Sequence, residues 1–338
     1  MFTSFLIFCA VVLLLCPTLL WLICWLIARL AHHSIPFAPF AYTGLALVVL
    51  FMGTMLYGYW FGRKQLRVTE TTYTSPQVPT AFNGYKIVHI SDLHLSSFAD
   101  SSTFLQRIID TINAQQPDLI CFTGDFVGFG VEEALPFTNI LRQLHAKDGI
   151  MSVLGNHDFA LYHHELNDKQ KEQKVNQLTT YQRDTLGWQL LRNQSYLIHR
   201  DSAYLQIIGV DNTSCQGQGF QTISRGDLNA ALQFRGRPTG YSLEAKGDGI
   251  QILLTHDPSH WRAEVIPKTD IPLTLSGHTH AGQVRLFSYP LSSLMFTESE
   301  GWYHHATQSL HINTGLGCTL PVRLGVPPEI TVITLQKP

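Results

Sequence analysis

Tyr85-Lys86-Ile87-Val88-His89-Ile90-Ser91-Asp92-Leu93-His94 opens as a short β-branched run and ends on an acid and an imidazole two residues apart. The same device recurs along the chain. Leu119-Ile120-Cys121-Phe122-Thr123 runs into Gly124-Asp125, and Gly149-Ile150-Met151-Ser152-Val153-Leu154 into Gly155-Asn156-His157-Asp158. Ile250-Gln251-Ile252-Leu253-Leu254 runs into Thr255-His256-Asp257, and Pro272-Leu273-Thr274-Leu275 into Ser276-Gly277-His278-Thr279-His280. Asp92, Asp125, Asn156, His256 and His278 are therefore expected at strand ends on one edge of the sheets, the edge where open α/β sheets build their sites.

The intervening sequence predicts the layers. Phe104, Leu105, Ile108, Ile109 and Ile112 recur at helical spacing before Gln116-Pro117, and residues 131–144 show the same period through Leu135, Ile140, Leu141 and Leu144. Strand, helix, strand, helix, strand predicts a parallel sheet with buried strands. The second half is richer in strands, with further runs at 204–210, 310–313 and 330–335. A second sheet packed on the first makes an α/β sandwich with helices outside.

The donor types narrow the chemistry. Carboxylates from Asp92 and Asp125, the amide of Asn156 and imidazoles from His94, His256, His278 and His280 form a mixed nitrogen and oxygen set without thiolate. Such a set suits Mn²⁺, Fe or Zn²⁺ better than Ca²⁺ or a cysteine-rich structural zinc. A lone histidine among the sixteen present is more often a core or surface residue. His89, His199, His260, His304, His305 and His311 carry no motif and are expected to be of that ordinary kind.

The first 62 residues read differently. Their only Asp, Glu, Lys or Arg is Arg29, so 22 basic and 25 acidic side chains fall in the remainder, a formal net of −3. That balance offers no clustered basic surface for nucleic acid. Residues 5–27 and 41–60 are two uncharged runs near the roughly 20 apolar residues that cross a hydrocarbon core, joined by a turn at 31–36. Pro17 inside the first run kinks a membrane helix without forbidding it.

A cleaved signal peptide would need a basic start and an apolar stretch of about 7–15 residues. Met1-Phe2-Thr3-Ser4 is uncharged, the first run is longer and no twin-arginine pair precedes it, so an anchor is expected. Arg63, Lys64 and Arg67 follow the second run against the single Arg29 in the turn, which puts the C-terminal domain in the cytoplasm by the positive-inside bias. Cys9, Cys16 and Cys24 lie in the first run, and Cys121, Cys215 and Cys318 are a scattered set that suggests no disulfide framework.

In order, Asp92-x-His94, Gly124-Asp125, Gly155-Asn156-His157-Asp158, His256 and Gly277-His278-x-His280 resemble the calcineurin-like metallophosphoesterases. The resemblance spans nearly all of residues 85–335. It implies the family's β-sandwich of two mixed sheets flanked by helices, here preceded by a transmembrane helical hairpin. The domain plan is two membrane helices in 1–64, a linker and first strand in 65–84, and the metallophosphoesterase domain in 85–338.

The resemblance further implies two divalent ions, Mn²⁺ first, with Fe or Zn as alternatives. Asp92, His94, Asp125 and His280 would hold one ion, with Asp125 bridging to a second held by Asn156, His256 and His278. A pair of ions acidifies a bound water and clamps phosphoryl oxygens for in-line attack by hydroxide. His157 is the implied proton donor, and Asp158 could orient it.

Substrate contacts are harder to read. Arg285, just past the last metal motif, is a candidate phosphate contact, with Arg323 behind it. The apolar stretch 286–296 is a candidate for contact with a membrane or an acyl chain, local burial being the commoner fate of such a stretch. His278-Thr279-His280-Ala281-Gly282-Gln283, Asn313-Thr314-Gly315-Leu316-Gly317 and Pro327-Pro328-Glu329-Ile330 resemble a membrane-anchored bacterial branch of the family. Some of its members look like UDP-2,3-diacylglucosamine diphosphatases of lipid A synthesis.

That resemblance implies a hydrolase at the bacterial inner membrane whose partners are the bilayer and a phosphorylated lipid or nucleotide-sugar-lipid. No nucleic acid and no obligate protein partner are implied. The alternatives are a general phosphodiesterase, exported cell-envelope hydrolysis, or a non-catalytic scaffold. Missing ligands would favour the scaffold, and every expected position is filled.

Overall fold

The two uncharged runs form helices α1 (Phe2–Leu30) and α2 (Ala38–Trp60) in the computed structural model, which describes residues 2–215, 225–233 and 248–338. Residues 1–63 and Leu320–Leu324 make one compact unit, and Lys64–Thr319 with Gly325–Pro338 another. In the first unit the hairpin is tied where Trp21 Nε1 donates to the Ile35 carbonyl at 3.1 Å and its ring meets Phe37 edge-on. Pro39 in the first turn of α2 sits where a missing N–H is harmless. Both helices expose apolar side chains along most of their length and are long enough to cross a bilayer.

The second unit is a sandwich of two six-stranded mixed sheets. One sheet contains β1 (Arg67–Thr74), β2 (Lys86–Ile90), β3 (Leu119–Phe122), β4 (Ile150–Ser152), β5 (Gln189–Leu190) and β14 (Glu329–Gln336), in the order β1-β14-β2-β3-β4-β5. The other contains β6 (Gln194–Arg200), β7 (Ala203–Gly209), β8 (Gly249–Leu254), β9 (Leu273–Ser276), β12 (Gly301–His305) and β13 (Gln308–Ile312), in the order β12-β13-β9-β8-β7-β6. A small hairpin, β10 (Arg285–Leu286) and β11 (Tyr289–Pro290), stands apart from both.

Alternation of side chains separates three apolar layers. Ile87, Leu119 and Cys121 face Ile207, Ile252, Leu273 and Leu275 between the sheets. Val88, Ile90, Ile120 and Phe122 turn outward onto Ile108, Ile109 and Ile112 of α3 (Ser102–Ala114). Ile208, Leu253, Leu310 and Ile312 back onto Trp261 and Val265. At roughly 25 cal/mol per Å² of apolar surface buried, the layer between the sheets carries much of the folding drive.

β2, β3, β4 and β5 run parallel, as do β7, β8 and β9. The last strand, β14, inserts antiparallel to β2 and parallel to β1, which makes the first sheet mixed.

Two readings of the sequence change. Residues 131–144 form no continuous helix; they break into turns at Val131–Glu133 and Leu135–Phe137 and one helical turn at Thr138–Leu141. Pro136 lacks an amide hydrogen, and the Glu133 carboxylate instead accepts from the Gly128 and Phe129 amides at 2.8 and 2.7 Å. Strands β6 and β12 were not expected: they are edge strands whose polar, part-exposed residues weaken the alternation signal.

Between the sheets His89 of β2 faces His311 of β13, Nδ1 to Nδ1 at 3.0 Å, and His89 Nε2 lies 3.0 Å from Thr123 Oγ1. Burial, and then the neighbouring imidazole, hold His89 well below its usual 6.5. Burial pushes His311 down to about 4, against the opposing pull of Glu329. The unfolded chain takes up these protons below about 6.5, whereas in the folded chain His311 resists until about 4 and His89 is likewise held well below 6.5. Their contribution is thus fully present above pH 6.5 and is lost as pH falls toward 4. The thermal midpoint of the detergent-solubilised protein is expected to drop across that window, and His311→Gln to flatten the drop. A slope unchanged by the substitution would remove the pair as its source.

Candidate metal centre

Every expected ligand stands just past the C-terminal end of a strand in a run of parallel strands. Asp92 and His94 follow β2, Asp125 follows β3 and Asn156 follows β4 in one sheet. His256 follows β8, and His278 and His280 follow β9, in the other. The centre therefore straddles the open end of the sandwich, with four donors from one sheet and three from the other. Asp92, His94, Asp125, His278 and His280 all adopt left-handed backbone, with φ of 51°, 39°, 56°, 72° and 49°. Such angles are uncommon outside glycine and are held in place by their surroundings.

Three donor groups result: Asp92 with His94 and His280; His94 with Asp125 and His157; and Asp125 with His256 and His278, each with donor atoms within 4.8 Å of one another. His280 Nε2 lies 3.2 Å from His94 Nε2 and 3.3 Å from Asp92 Oδ1. His256 Nε2 lies 3.2 Å from Asn156 Oδ1 and 3.2 Å from His278 Nδ1. Asp125 Oδ2 is 3.5 Å from His94 Nε2 and 3.1 Å from His256 Nε2, between the two sets. Separations near 3 Å are those of donors that converge on one cation from about 2.0–2.2 Å.

Unsatisfied atoms test the fit. Asp92 Oδ2 accepts the His278 amide at 3.0 Å, while Oδ1 is buried and accepts no hydrogen bond among the described residues. A buried carboxylate oxygen left without a donor is costly unless a cation completes it. His256 Nδ1 lies 2.7 Å from the Thr123 carbonyl, which can only accept, so Nδ1 carries the proton and Nε2 presents a lone pair to the centre. The residues fit a pair of divalent ions.

The local charges agree with this assembly. Asp125 is held well below the usual carboxylate range: burial acts to raise it, and His256, His157 and His94 outweigh that. His256 rises to about 10: burial, the largest single effect, lowers it, and the charge and hydrogen bond of Asp125 together with Asp92 and the Thr123 carbonyl outweigh that. Asp92 is pushed up to about 6, chiefly by burial, with His256 opposing and Asp125 adding. Burial also lowers His278.

His157 sits beside the ligands, its ring edge-on to His94 at 4.7 Å between centroids and 4.3 Å from Tyr162. Its amide donates to Asp125 Oδ1 at 2.9 Å, and its Nδ1 lies 3.1 Å from the Gly128 carbonyl. Asp158 does not orient that ring. Its carboxylate accepts the amides of Phe126, Val127 and Gly155 at 2.9–3.1 Å, pinning the turn that carries Asp125. Burial, followed by the Asp125 charge, raises it to about 7.

The two arginines stand outside the donor groups. Arg285 pairs with Glu300 and donates to the carbonyls of Gly325 and Ser288. Arg323 is buried in the other unit, where a Cβ on Gly62 would strike its carbonyl.

Sequence reasoning missed the groups that hold the ligands. The Thr123 and Gly128 carbonyls leave no trace in side-chain identity. Asp257, next to His256 in the chain, is one such group: its Oδ2 is buried, accepts no hydrogen bond among the described residues and lies 3.7 Å from His278 Nε2.

The calcineurin-like phosphoesterase family pattern matches residues 85–282. The chain belongs to the calcineurin-like phosphoesterases. As a calcineurin-like phosphoesterase it is a metal-dependent phosphoester hydrolase with a dinuclear divalent metal site.

The uncharacterized metallophosphoesterase YkuE of Bacillus subtilis is 32% identical over 295 residues, covering 83% of this chain and 90% of that protein. The UDP-2,3-diacylglucosamine pyrophosphatase LpxG of Chlamydia trachomatis is 30% identical over 310 residues, covering 79% of this chain and 88% of that protein. A Danio rerio transmembrane protein with metallophosphoesterase domain is 25% identical over 319 residues, covering 92% of this chain and 66% of that one. Both N-terminal helices of this calcineurin-like phosphoesterase are long and apolar enough to cross a membrane.

The spacing of the centre depends on glycine at position 155, where a Cβ would stand 2.2 Å from Asp125 Oδ1. Gly155→Ala is expected to lower bound divalent metal below two ions per chain by elemental analysis while leaving the circular dichroism spectrum intact. Full occupancy in that variant would mean that Asp125 tolerates displacement.

Proposed function

We propose that this protein hydrolyses the pyrophosphate of UDP-2,3-diacylglucosamine at a membrane surface, releasing UMP and the lipid sugar phosphate. The observation that carries the reading is the 30% identity to LpxG over most of both chains, on a chain that brings its own membrane helices. A substrate with acyl chains in the bilayer and a polar diphosphate outside suits such an enzyme. The 32% match to YkuE, which carries no substrate assignment, favours a second reading as a phosphodiesterase for another substrate.

In this reading residues 1–64 are the anchor, 65–84 the link and first strand, and 85–338 the catalytic domain. The domain faces the cytoplasm of a bacterial inner membrane, supported by Arg63, Lys64 and Arg67 after the second helix against Arg29 before it. Protease should cut the catalytic domain only after spheroplasts are broken; cleavage in intact spheroplasts would reverse the orientation.

Asp92, His94, Asp125 and His280 would hold one ion, and Asp125, Asn156, His256 and His278 the other. Mn²⁺ is the first choice for this donor set, ahead of Fe and Zn²⁺. Bound there, two divalent cations acidify water and neutralise phosphoryl oxygens. The chain's own residues set the rest. Because the Gly128 carbonyl can only accept, His157 Nδ1 keeps its proton, so Nε2 is the atom that would give a proton to the leaving oxygen, from the doubly protonated ring, leaving the neutral imidazole with its remaining proton on Nδ1. Asp158 is a positioning residue that holds the Asp125 turn rather than the proton donor. Arg285 is left out of the machinery, because reaching a phosphate would break its Glu300 pair and two carbonyl bonds.

Purified in detergent with Mn²⁺ and offered UDP-2,3-diacylglucosamine beside an aryl phosphodiester, the enzyme is expected to yield UMP by mass spectrometry. Aryl ester turnover without UMP would sink the lipid substrate and leave the enzyme class standing. His157→Ala should lower kcat by about 10²–10⁴-fold with metal content unchanged. Retained turnover would remove His157 from the proton-donor role.

A further inference from the structure

The end of the sandwich that carries the metal centre is rimmed by apolar side chains that are exposed among the described residues. After the ligand turn His280–Gly282, the β10–β11 hairpin and the turn Leu291–Leu294 expose Phe287 at 99%, Leu294 at 82%, Tyr289 at 74% and Leu286 at 57%. Phe287 stands at the hairpin tip with φ of 56°.

The rim is built onto the centre. A Cβ on Gly282 would meet the Ser292 amide at 2.6 Å, and the Phe296 ring lies edge-on to His278 at 5.5 Å. On the Asn156 side Phe129 is 53% exposed, and Tyr162, also partly exposed, accepts from Asn156 Nδ2 at 3.1 Å. Exposed large apolar side chains gathered at one place mark an interaction surface.

Chain connectivity says what lies opposite. The membrane-length helix α2 ends at Trp60 and β1 begins at Arg67, so residues 61–66 tether that end of β1 within about 20 Å of the span. Arg67 pairs with Glu329 at 3.0 Å, and Glu329 accepts from Thr314 Oγ1 at 3.1 Å. At Gly315, next in the chain, an added Cβ would stand 2.8 Å from Asp92 Cβ and 3.0 Å from His280 Nδ1. The tethered end of β1 and the metal-bearing end are therefore one end. A bilayer holding α2 therefore lies within reach of that end.

We infer that the metal-bearing end of the catalytic domain docks on the bilayer in which the chain's own helices sit, with Phe287, Leu294, Tyr289 and Leu286 entering the interfacial layer. Aromatic and aliphatic side chains at the headgroup boundary are how a protein rests on a membrane without spanning it. The inference rests on membrane association and deepens the lipid-substrate reading, because docking brings the metal centre to headgroup level. It stands if the substrate is a different bilayer lipid.

The test uses the full chain in nanodiscs of phosphatidylethanolamine and phosphatidylglycerol. The photo-crosslinking variants are Phe287→p-benzoylphenylalanine, Leu294→p-benzoylphenylalanine and, on the opposite end at the exposed β12–β13 turn, Ala306→p-benzoylphenylalanine. Phospholipid adducts at 287 and 294, at least fivefold above those at 306, are expected with no substrate added, and turnover of a soluble aryl phosphodiester certifies each fold. Equal labelling at the three positions, or none at 287 and 294, would overturn the inference.

Adducts to a second copy of the chain would overturn it in favour of a protein interface, and adducts that need added lipid substrate in favour of an acyl groove. A companion double variant, Phe287→Ser with Leu294→Ser, should keep aryl phosphodiester turnover within twofold and lose at least tenfold on UDP-2,3-diacylglucosamine in nanodiscs. If the unsubstituted enzyme releases no UMP, the substrate reading fails while the crosslinks still decide the docking.

Discussion

A buried carboxylate shared by two sets of imidazoles is the constraint around which this structure is arranged. Asp125 is 2% exposed, and its Oδ2 stands between His94 Nε2 and His256 Nε2, one from each sheet. Taking such a charge out of water costs several kcal/mol unless partners replace the water. The partners cannot come from one sheet alone, because β2 supplies His94 and β8 supplies His256. The separation of the two donor sets is therefore a property of how the sheets pack. Ile87 and Leu119 against Ile207 and Ile252 set a distance that the ligands inherit. A cavity in that layer would be felt at the centre even though no ligand had changed.

Five donor residues on left-handed backbone hold strain of order 1–3 kcal/mol each, a sum comparable with the whole stability of an ordinary domain. Backbone bonds between the ligand loops oppose it. The Asp92 amide donates to the Gly124 carbonyl at 2.9 Å, the His94 amide to Asp125 at 3.1 Å, the Gly277 amide to His256 at 3.0 Å and the Gly317 amide to Asp92 at 2.7 Å. Asp158 adds three more amides beneath the Asp125 turn. Each loop is thus held by its neighbour, and the donors are preorganised before any cation arrives.

This mutual support explains what could be read in advance. An apolar run followed within three residues by Asp, Asn or His is visible in sequence, so the strands and the donor set were legible together. The carbonyls of Thr123 and Gly128 fix the proton positions of His256 and His157 and leave no mark in residue type. Asp158 beside His157 invited a side-chain partnership, yet the turn sends its carboxylate the other way, to three amides. Arg285 looked available until Glu300, 15 residues on, was seen to occupy it. Residues 131–144 have helical period, but Pro136 and the capture of Glu133 by neighbouring amides break the helix. Where local pattern and tertiary pairing agree, reading succeeds; where a distant partner decides, it cannot.

The pairing of β1 with β14 is the longest-range instance and has the largest consequence. β14, the last of these strands, inserts between β1 and β2, so the strand that follows the two N-terminal helices cannot join the sheet until β14 has arrived. Glu329, nearly buried, then binds Arg67 and Thr69 on one side and Thr314 on the other. Burial alone would raise its carboxyl, and Arg67, Thr69 and His311 hold it below the usual range. From the first residue of β1 to the ligands Asp92 and His280 the path runs through one carboxylate and the Thr314-Gly315 backbone. The first residue of β1 and the centre are thus joined, within the catalytic unit, through a short set of contacts made by the last strand. The position of the candidate ligands relative to the start of β1 is settled by sheet pairing.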